Sequence, residues 1–305
     1  KAGADYVKFQ TAVPELVIST FAPKAEYQKA TTGEAESQLE MCKAIHLPLS
    51  DYAELKALCD EAGIGFMSTP FDLVSVDCLV PLAMDYWKIP SGEITNLPYL
   101  LKIGRLGGRV IMSTGMATLN EVEAAVRVLE SAGTPRGNIW LLHCTTQYPA
   151  PLQSVNLRAM DALASLGCAG VGYSDHTEGI EVALAAAARG AVIIEKHFTL
   201  SRSLPGPDHK ASLEPDELAR LVASVRKVEA ALGGGVKDVA DAERPNIEVA
   251  RKRIVAARAI AEGELFSEDN ITVKRPGNGI SPMRWFDVLG SRAPRSFEAD
   301  ELISL

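Results

Sequence analysis

Residues 191–200 read AVIIEKHFTL. Four apolar residues, three of them β-branched, run straight into Glu195, Lys196 and His197 with no turn residue between. The β-branched run suits a buried strand. An acid, a base and an imidazole at its end imply that the strand passes through a packed core and surfaces in a polar site.

Working outward, six more stretches have the same character: DYVKFQ (5–10), GIGFMST (63–69), DYWKIPS (85–91), RVIMST (109–114), NIWLLHC (138–144) and GVGYSD (170–175). Helix-period segments separate them. Residues 49–63 offer Ser50 or Asp51 as N-cap and Gly63 as stop, and 118–133 offer Thr118 or Asn120 and Gly133. Residues 178–191 form an alanine-rich helix. Strand–helix alternation predicts parallel strands with right-handed crossovers. The chain opens on KAGAD, which reads as the last turn of a helix, so one βα unit placed before residue 1 makes eight. The expectation is an α/β fold, a (β/α)8 TIM barrel whose first unit is missing from this chain. A doubly wound open sheet is the rival, weakened because no GxGxxG follows the first strand. Polar residues gather at the C-terminal strand ends, where such barrels hold their chemistry. Among them are Lys8, Gln10, Ser68, Thr69, Lys88, Ser91, Glu93, Ser113, His143, Ser174, Asp175, His176, Glu195 and His197.

Of the 305 residues 47% are apolar, enough for a large core, and the net charge of −8 argues against a nucleic-acid or anionic-membrane partner. Five scattered cysteines without a CxxC favour neither a disulfide framework nor a zinc knuckle, and point to a reducing cytoplasm. No apolar run reaches membrane-spanning length. The barrel is expected over 1–235. Three glycines and a charged stretch then read as a linker (236–246), followed by a small β-rich module (247–305) with little core of its own.

His176 and His197 lie 21 residues apart, one βα unit, so they rise from neighbouring strands and can meet over the rim. Two imidazoles suit a divalent metal and leave positions open for water and substrate, with Asp175 and Glu195 as supporting acceptors. The bland alternative is two core histidines. Lys8 and Lys88 sit inside apolar strands, where an unpaired ammonium is costly. With the hydroxyls of Thr69, Ser91 and Ser174 they can cradle a phosphate or carboxylate; otherwise they are structural salt bridges. Glu93 follows a Pro-Ser-Gly turn and reads equally as a ligand contact or a helix N-terminal acid. Tyr148, in a proline-bounded loop, and Asp208, in a long polar loop, are ordinary surface features unless a site recruits them. His46 and His209 receive no role.

VKFQ, STPFD, WKIPSGEITN, HCTTQYPAP, YSDHT, EKHFTL, GPDHKASLEP and KRPGNGIS, in that order, resemble the sialic acid synthase family across the whole chain, and the last segment resembles its antifreeze-like (SAF) domain. The resemblance implies condensation of phosphoenolpyruvate with an N-acylated mannosamine-type sugar and release of phosphate. It implies that Lys8, Thr69, Lys88, Ser91 and Ser174 bind phosphoenolpyruvate, and that His176 and His197 hold a divalent cation, Mn or Mg. By the same resemblance Gln10, Glu93, Tyr148 and Asp208 would contact the sugar, Glu195 would stand at the reacting centre with Glu93 and Lys88, and Arg275 would reach from the SAF domain over a partner's barrel in a domain-swapped homodimer. Thr146 stands where sialic acid-type members carry an Asn at the phosphate. HCTTQYPAP and GPDHKASLEP look closer to the legionaminic acid branch, so the acceptor is N-acetylmannosamine or a 2,4-diacetamido-2,4,6-trideoxymannose. A pseudaminic acid synthase, a related 3-deoxy-keto acid synthase, a barrel metal hydrolase and a binding module with a relict barrel are the alternatives.

Overall fold

The computed structural model describes residues 1–25, 28–29, 37–275 and 277–305. They form two compact units, Lys1–Gly233 and Gly234–Leu305.

The first unit alternates strands and helices, as the periodicity demands. Its strands are β1 (Tyr6–Thr11), β2 (Gly65–Pro70), β3 (Tyr86–Ile89), β4 (Arg109–Ser113), β5 (Ile139–Cys144), β6 (Gly170–Asp175) and β7 (Ile194–Lys196). All pair in parallel, β1 with β2 in one ladder and β3 to β7 in sequence order in another. The helix Pro215–Leu232 carries the chain back to its start: Arg226 holds Asp5 at 2.8 and 2.9 Å. The result is an incompletely closed (β/α)8-type barrel. Among the described residues, no helix is long and apolar enough to cross a membrane.

Strand parity divides this unit into two cores. Val7, Phe9, Phe66, Trp87, Ile89, Val110, Met112, Ile139 and Leu141 pack with the helices. The alternate positions Met67, Ile111 and Leu142 form a separate cluster with Tyr86, Trp140 and Ile193, which fills the barrel interior. Gly172 makes that filling possible. A Cβ there would stand 2.5 Å from the Ile193 carbonyl oxygen and 2.6 Å from Leu142 Cδ2, so only glycine lets the strands and Leu142 close up.

Local signals explain several helix ends. Thr118 caps Leu119–Ala132 in a reciprocal capping box with Glu121, and Gly133 ends it. Tyr52–Ala62 ends at Gly63, but Asp51 makes no side-chain cap; a 3-10 turn over Leu49–Asp51 leads in instead.

The second unit differs from expectation in two respects. Part of the stretch read as linker is helical, with a turn at Asp241–Glu243 continuing into Arg244–Ala250. The β-rich part also has its own core. The antiparallel pair β8 (Arg253–Ala256) and β9 (Ile271–Lys274) packs with Ile260, Phe266, Val288, Ala293, Phe297 and Ile303, all nearly inaccessible.

Candidate active site

The same parity that builds the barrel interior builds the site. Above Met67, Tyr86, Ile111, Leu142 and Ile193, the next inward positions are Thr69, Lys88, Ser113, Cys144 and Glu195, with Ser174 level with Cys144. The interior therefore turns from apolar to polar as the strands rise toward their C-terminal ends. The stretch 193–197 shows how: Ile193, Glu195 and His197 point in, while Ile194 and Lys196 point out.

Lys88 is 2% exposed. It donates to Ser113 Oγ at 2.6 Å and to the Ile89 carbonyl at 3.3 Å, and lies 3.8 Å from Glu195 Oε2. Burial pulls its ammonium below the usual lysine range, opposed by Glu195 and reinforced by Lys8. Glu195 also accepts from Ser174 Oγ at 2.9 Å. Burial would raise its pKa, yet the charges of Lys88 and Lys8 and the Ser174 hydroxyl hold it down at about 2. Lys8 is thus felt at this centre from β1, on the other side of the barrel's opening.

The imidazoles of His176 and His197 meet edge to face, centroids 5.2 Å apart, and Tyr148 stacks 4.2 Å from the first and 5.4 Å from the second. His176 Nδ1 lies 2.6 Å from the Thr145 carbonyl oxygen. A carbonyl can only accept, so Nδ1 carries the proton and Nε2 the lone pair. Ser174 Oγ is 3.3 Å from that Nε2, but its single proton serves Glu195. The lone pair is left with no donor. Burial keeps both rings neutral. It lowers the His176 pKa, and with the neighbouring His176 and Lys8 it brings His197 to about 3. Neutral and adjacent, the pair fits a divalent cation. Among the described residues no three His, Cys, Asp or Glu side chains converge as a full ligand set, so other positions fall to water or substrate. Asp208 Oδ2 stands 3.6 Å from His197 Nδ1, its pKa raised by burial.

A second polar cluster adjoins the first. Ser91 Oγ accepts from the Gly115 N–H at 3.0 Å and touches Cys144 Sγ at 3.2 Å. A Cβ on Gly115 would meet Thr146 Cγ2 at 2.6 Å, Ser91 Oγ at 2.9 Å and Cys144 Sγ at 3.0 Å, which brings Thr146 into the same wall. Among the described residues buried Thr69 Oγ1 finds no hydrogen-bond partner, which suits it to an anionic ligand.

Other sequence candidates lie further out. Gln10 is exposed at the end of β1, its backbone carbonyl held by Tyr52. Glu93 bonds Asn96 at 2.5 Å, and burial raises its pKa. Arg275 is exposed in the second unit, just after β9. Asp175 is a correction: it accepts hydrogen bonds from Thr177 and Lys196, not from a histidine. It faces the helix layer and pairs with Lys196 at 2.8 Å. His143 also faces out, to the Val155 carbonyl at 2.6 Å. Cys144 and Gly115 join the site without having been singled out; counting in twos from Leu142 and from Ser113 was the signal that could have found them.

This fold gathers lysines, hydroxyls, a buried carboxylate and two neutral imidazoles at one rim of a barrel. Comparison with known proteins gives the family. The NeuB family pattern matches residues 1–237 and the SAF domain pattern 251–305. The chain is 52% identical over 302 residues (99% of this chain, 90% of the relative) to the N,N'-diacetyllegionaminic acid synthase of Campylobacter jejuni. It is 43% identical over 301 residues (98% and 85%) to the enzyme of that name from Legionella pneumophila. A crystal structure of the N-acetylneuraminic acid synthetase of Leptospira borgpetersenii in complex with citrate superposes with a TM-score of 0.69, at 33% identity and 81% coverage of both chains. The chain belongs to the NeuB family, the phosphoenolpyruvate-dependent condensing enzymes that make nonulosonic acids with a divalent cation, Mn or Mg.

Proposed function

We propose that this protein is an N,N'-diacetyllegionaminate synthase, joining phosphoenolpyruvate to 2,4-diacetamido-2,4,6-trideoxymannose with water and releasing phosphate. The observation that carries the chemistry is the buried Lys88–Glu195 pair, 3.8 Å apart, beside two neutral imidazoles. The choice of acceptor is supported by the 52% identity with the Campylobacter jejuni relative of that name.

In this reading Lys8, Lys88, Thr69, Ser91, Thr146 and Ser174 bind the phosphate and carboxylate of phosphoenolpyruvate. Lys88 and Lys8 stabilise the departing phosphate, a task for preorganised cations in a water-poor cavity. His176 Nε2 and His197 hold the divalent cation, whose chemistry is to polarise a carbonyl and to orient or acidify water. Tyr148 packs on both imidazoles and presents its ring to the acceptor, which Gln10, Glu93 and Asp208 also contact. C3 of phosphoenolpyruvate bonds to the acceptor's aldehyde carbon, whose oxygen takes up a proton. Water adds at C2, and the C2–O bond to phosphate breaks to leave the keto acid. Glu195, ionised and anchored by Ser174, stands beside the positive charge that develops at C2.

The family resemblance also supports a domain-swapped homodimer, in which Arg275 of one protomer closes over its partner's barrel, and a cytoplasmic enzyme. The test offers both amino sugars in parallel with phosphoenolpyruvate and Mn, reading phosphate release and product mass. Preference for the diacetamido sugar is expected. Preference for N-acetylmannosamine overturns the acceptor assignment, and turnover of neither overturns the synthase reading.

A further inference from the structure

Behind the imidazole pair, on the helix-facing side of the sheet, lies an ion pair that the chemistry above does not use. Lys196 Nζ lies 2.8 Å from Asp175 Oδ2, with side chains 2% and 0% exposed. The other Asp175 oxygen, Oδ1, accepts from the Thr177 backbone N–H at 3.0 Å and the Thr177 hydroxyl at 2.8 Å, and Lys196 also donates to the Thr177 carbonyl oxygen. Four hydrogen bonds therefore tie three residues into one closed network, each charge answered.

Its place in the chain is the informative part. Asp175 lies between Ser174 and His176, and Lys196 between Glu195 and His197. The ladder pairs Ser174 with Glu195 and Asp175 with Lys196. Side chains alternate across a strand, so a bond between the outward residues fixes the separation of the inward residues on either side. β7 is three residues long, and among the described strands its ladder partner is β6 alone. Thr177 extends the network past β6, into the turn that follows His176. A buried ion pair is poor value as pure stabilisation, because desolvation consumes most of its attraction, and its best-attested use is to fix register.

We propose that Asp175, Thr177 and Lys196 are positioning residues that set the spacing of His176 and His197, and hence the affinity of the site for its divalent cation. They touch neither substrate nor metal. The inference rests on the two histidines as the metal-holding pair.

The experiment measures Mn binding to the full chain by calorimetry, in the absence of substrate, alongside thermal unfolding. Lys196→Met alone strands a buried carboxylate and is expected to destabilise. The deciding variant is Asp175→Asn with Lys196→Met, which removes both charges together. Unfolding near the wild-type temperature with Mn affinity weakened about tenfold is the expected result, since loss of supporting partners around metal ligands costs 10–100-fold. A stable double variant with unchanged Mn affinity overturns the inference and leaves the metal pair standing. A wild-type chain that binds no Mn fails the metal reading itself, and this inference falls with it. If the double variant unfolds, Thr177→Val decides: it deletes only the hydroxyl bond to Asp175, a threefold loss of Mn affinity is expected, and no loss overturns the inference.

Discussion

Replacing Lys88 by methionine keeps the side chain's length and removes its charge. The attraction removed can be worked from the geometry. At 3.8 Å and an effective dielectric constant near 20, two unit charges attract by about 4 kcal/mol. Much of that offsets the cost of keeping both groups out of water. Glu195 is not stranded entirely, because it keeps the Ser174 hydroxyl and the charge of Lys8, and it is 18% exposed. The net loss should therefore fall below the 3–5 kcal/mol of a fully buried broken pair, at about 2 kcal/mol, or roughly 4–8 °C in melting temperature. The effect on turnover is larger. A fixed cation facing a leaving phosphate should be worth about 100- to 1,000-fold in kcat/KM. Adding Glu195→Gln separates the two effects, since the double variant has no lone carboxylate to bury. Its melting temperature should recover most of the loss while phosphate release stays low. Activity within threefold of wild type in Lys88→Met would refute the anion-binding role, and a double variant as unstable as the single one would refute the electrostatic account of its stability.

Gly115→Ala places a methyl 2.6 Å from Thr146 Cγ2 and 2.9 Å from Ser91 Oγ; steady-state kinetics should show KM for phosphoenolpyruvate raised about tenfold, a loss of about 1.4 kcal/mol, with a far-UV spectrum unchanged. Thr118→Ala removes the capping box of Leu119–Ala132 and should cost about 1 kcal/mol by urea unfolding, without changing kcat. Tyr6, whose hydroxyl donates to Asp85 at 2.9 Å, has its pKa raised to about 12 by burial and by that bond. A raised folded-state pKa contributes stability that is complete below the free phenol's pKa near 10 and lost as pH climbs through 12. Urea midpoints of wild type should therefore fall faster than those of Tyr6→Phe between pH 10 and 12.

Apolar β-branched runs and capped helices made the barrel legible in the sequence, because each strand and each helix announces itself over a few residues. The histidine pair was legible for the same reason: one βα unit separates two residues at equivalent strand ends. Facing was harder. Asp175 and His143 occupy strand ends as suitable as those of His176 and Ser174, and a reading by position alone sends all of them to the rim. The alternation sends Asp175, Lys196 and His143 behind the sheet instead. Counting in twos from Trp140 and Ile193, which fill the interior, sets His143 and Lys196 apart, and the pairing of Asp175 with Lys196 does the same for Asp175. The core of the second unit was hidden for another reason. Phe266 and Phe297, whose rings lie 5.8 Å apart, are distant in sequence, and only the folded chain brings them together.

Charge explains why the imidazoles must stay neutral. The chain carries a net charge of −8, yet the proposed substrate brings both a phosphate and a carboxylate. Locally two lysines gather: Lys8 and Lys88 both act on Glu195, whose pKa of about 2 reflects both ammonium charges. Two lysines and a divalent cation would offset the charge of Glu195 together with that of fully ionised phosphoenolpyruvate. Protonated histidines would upset that balance and would have no lone pair for a metal. Burial, the neighbouring His176 and Lys8 lower the His197 pKa to about 3: Lys8, which the anion also calls on, helps to keep that imidazole free for the cation.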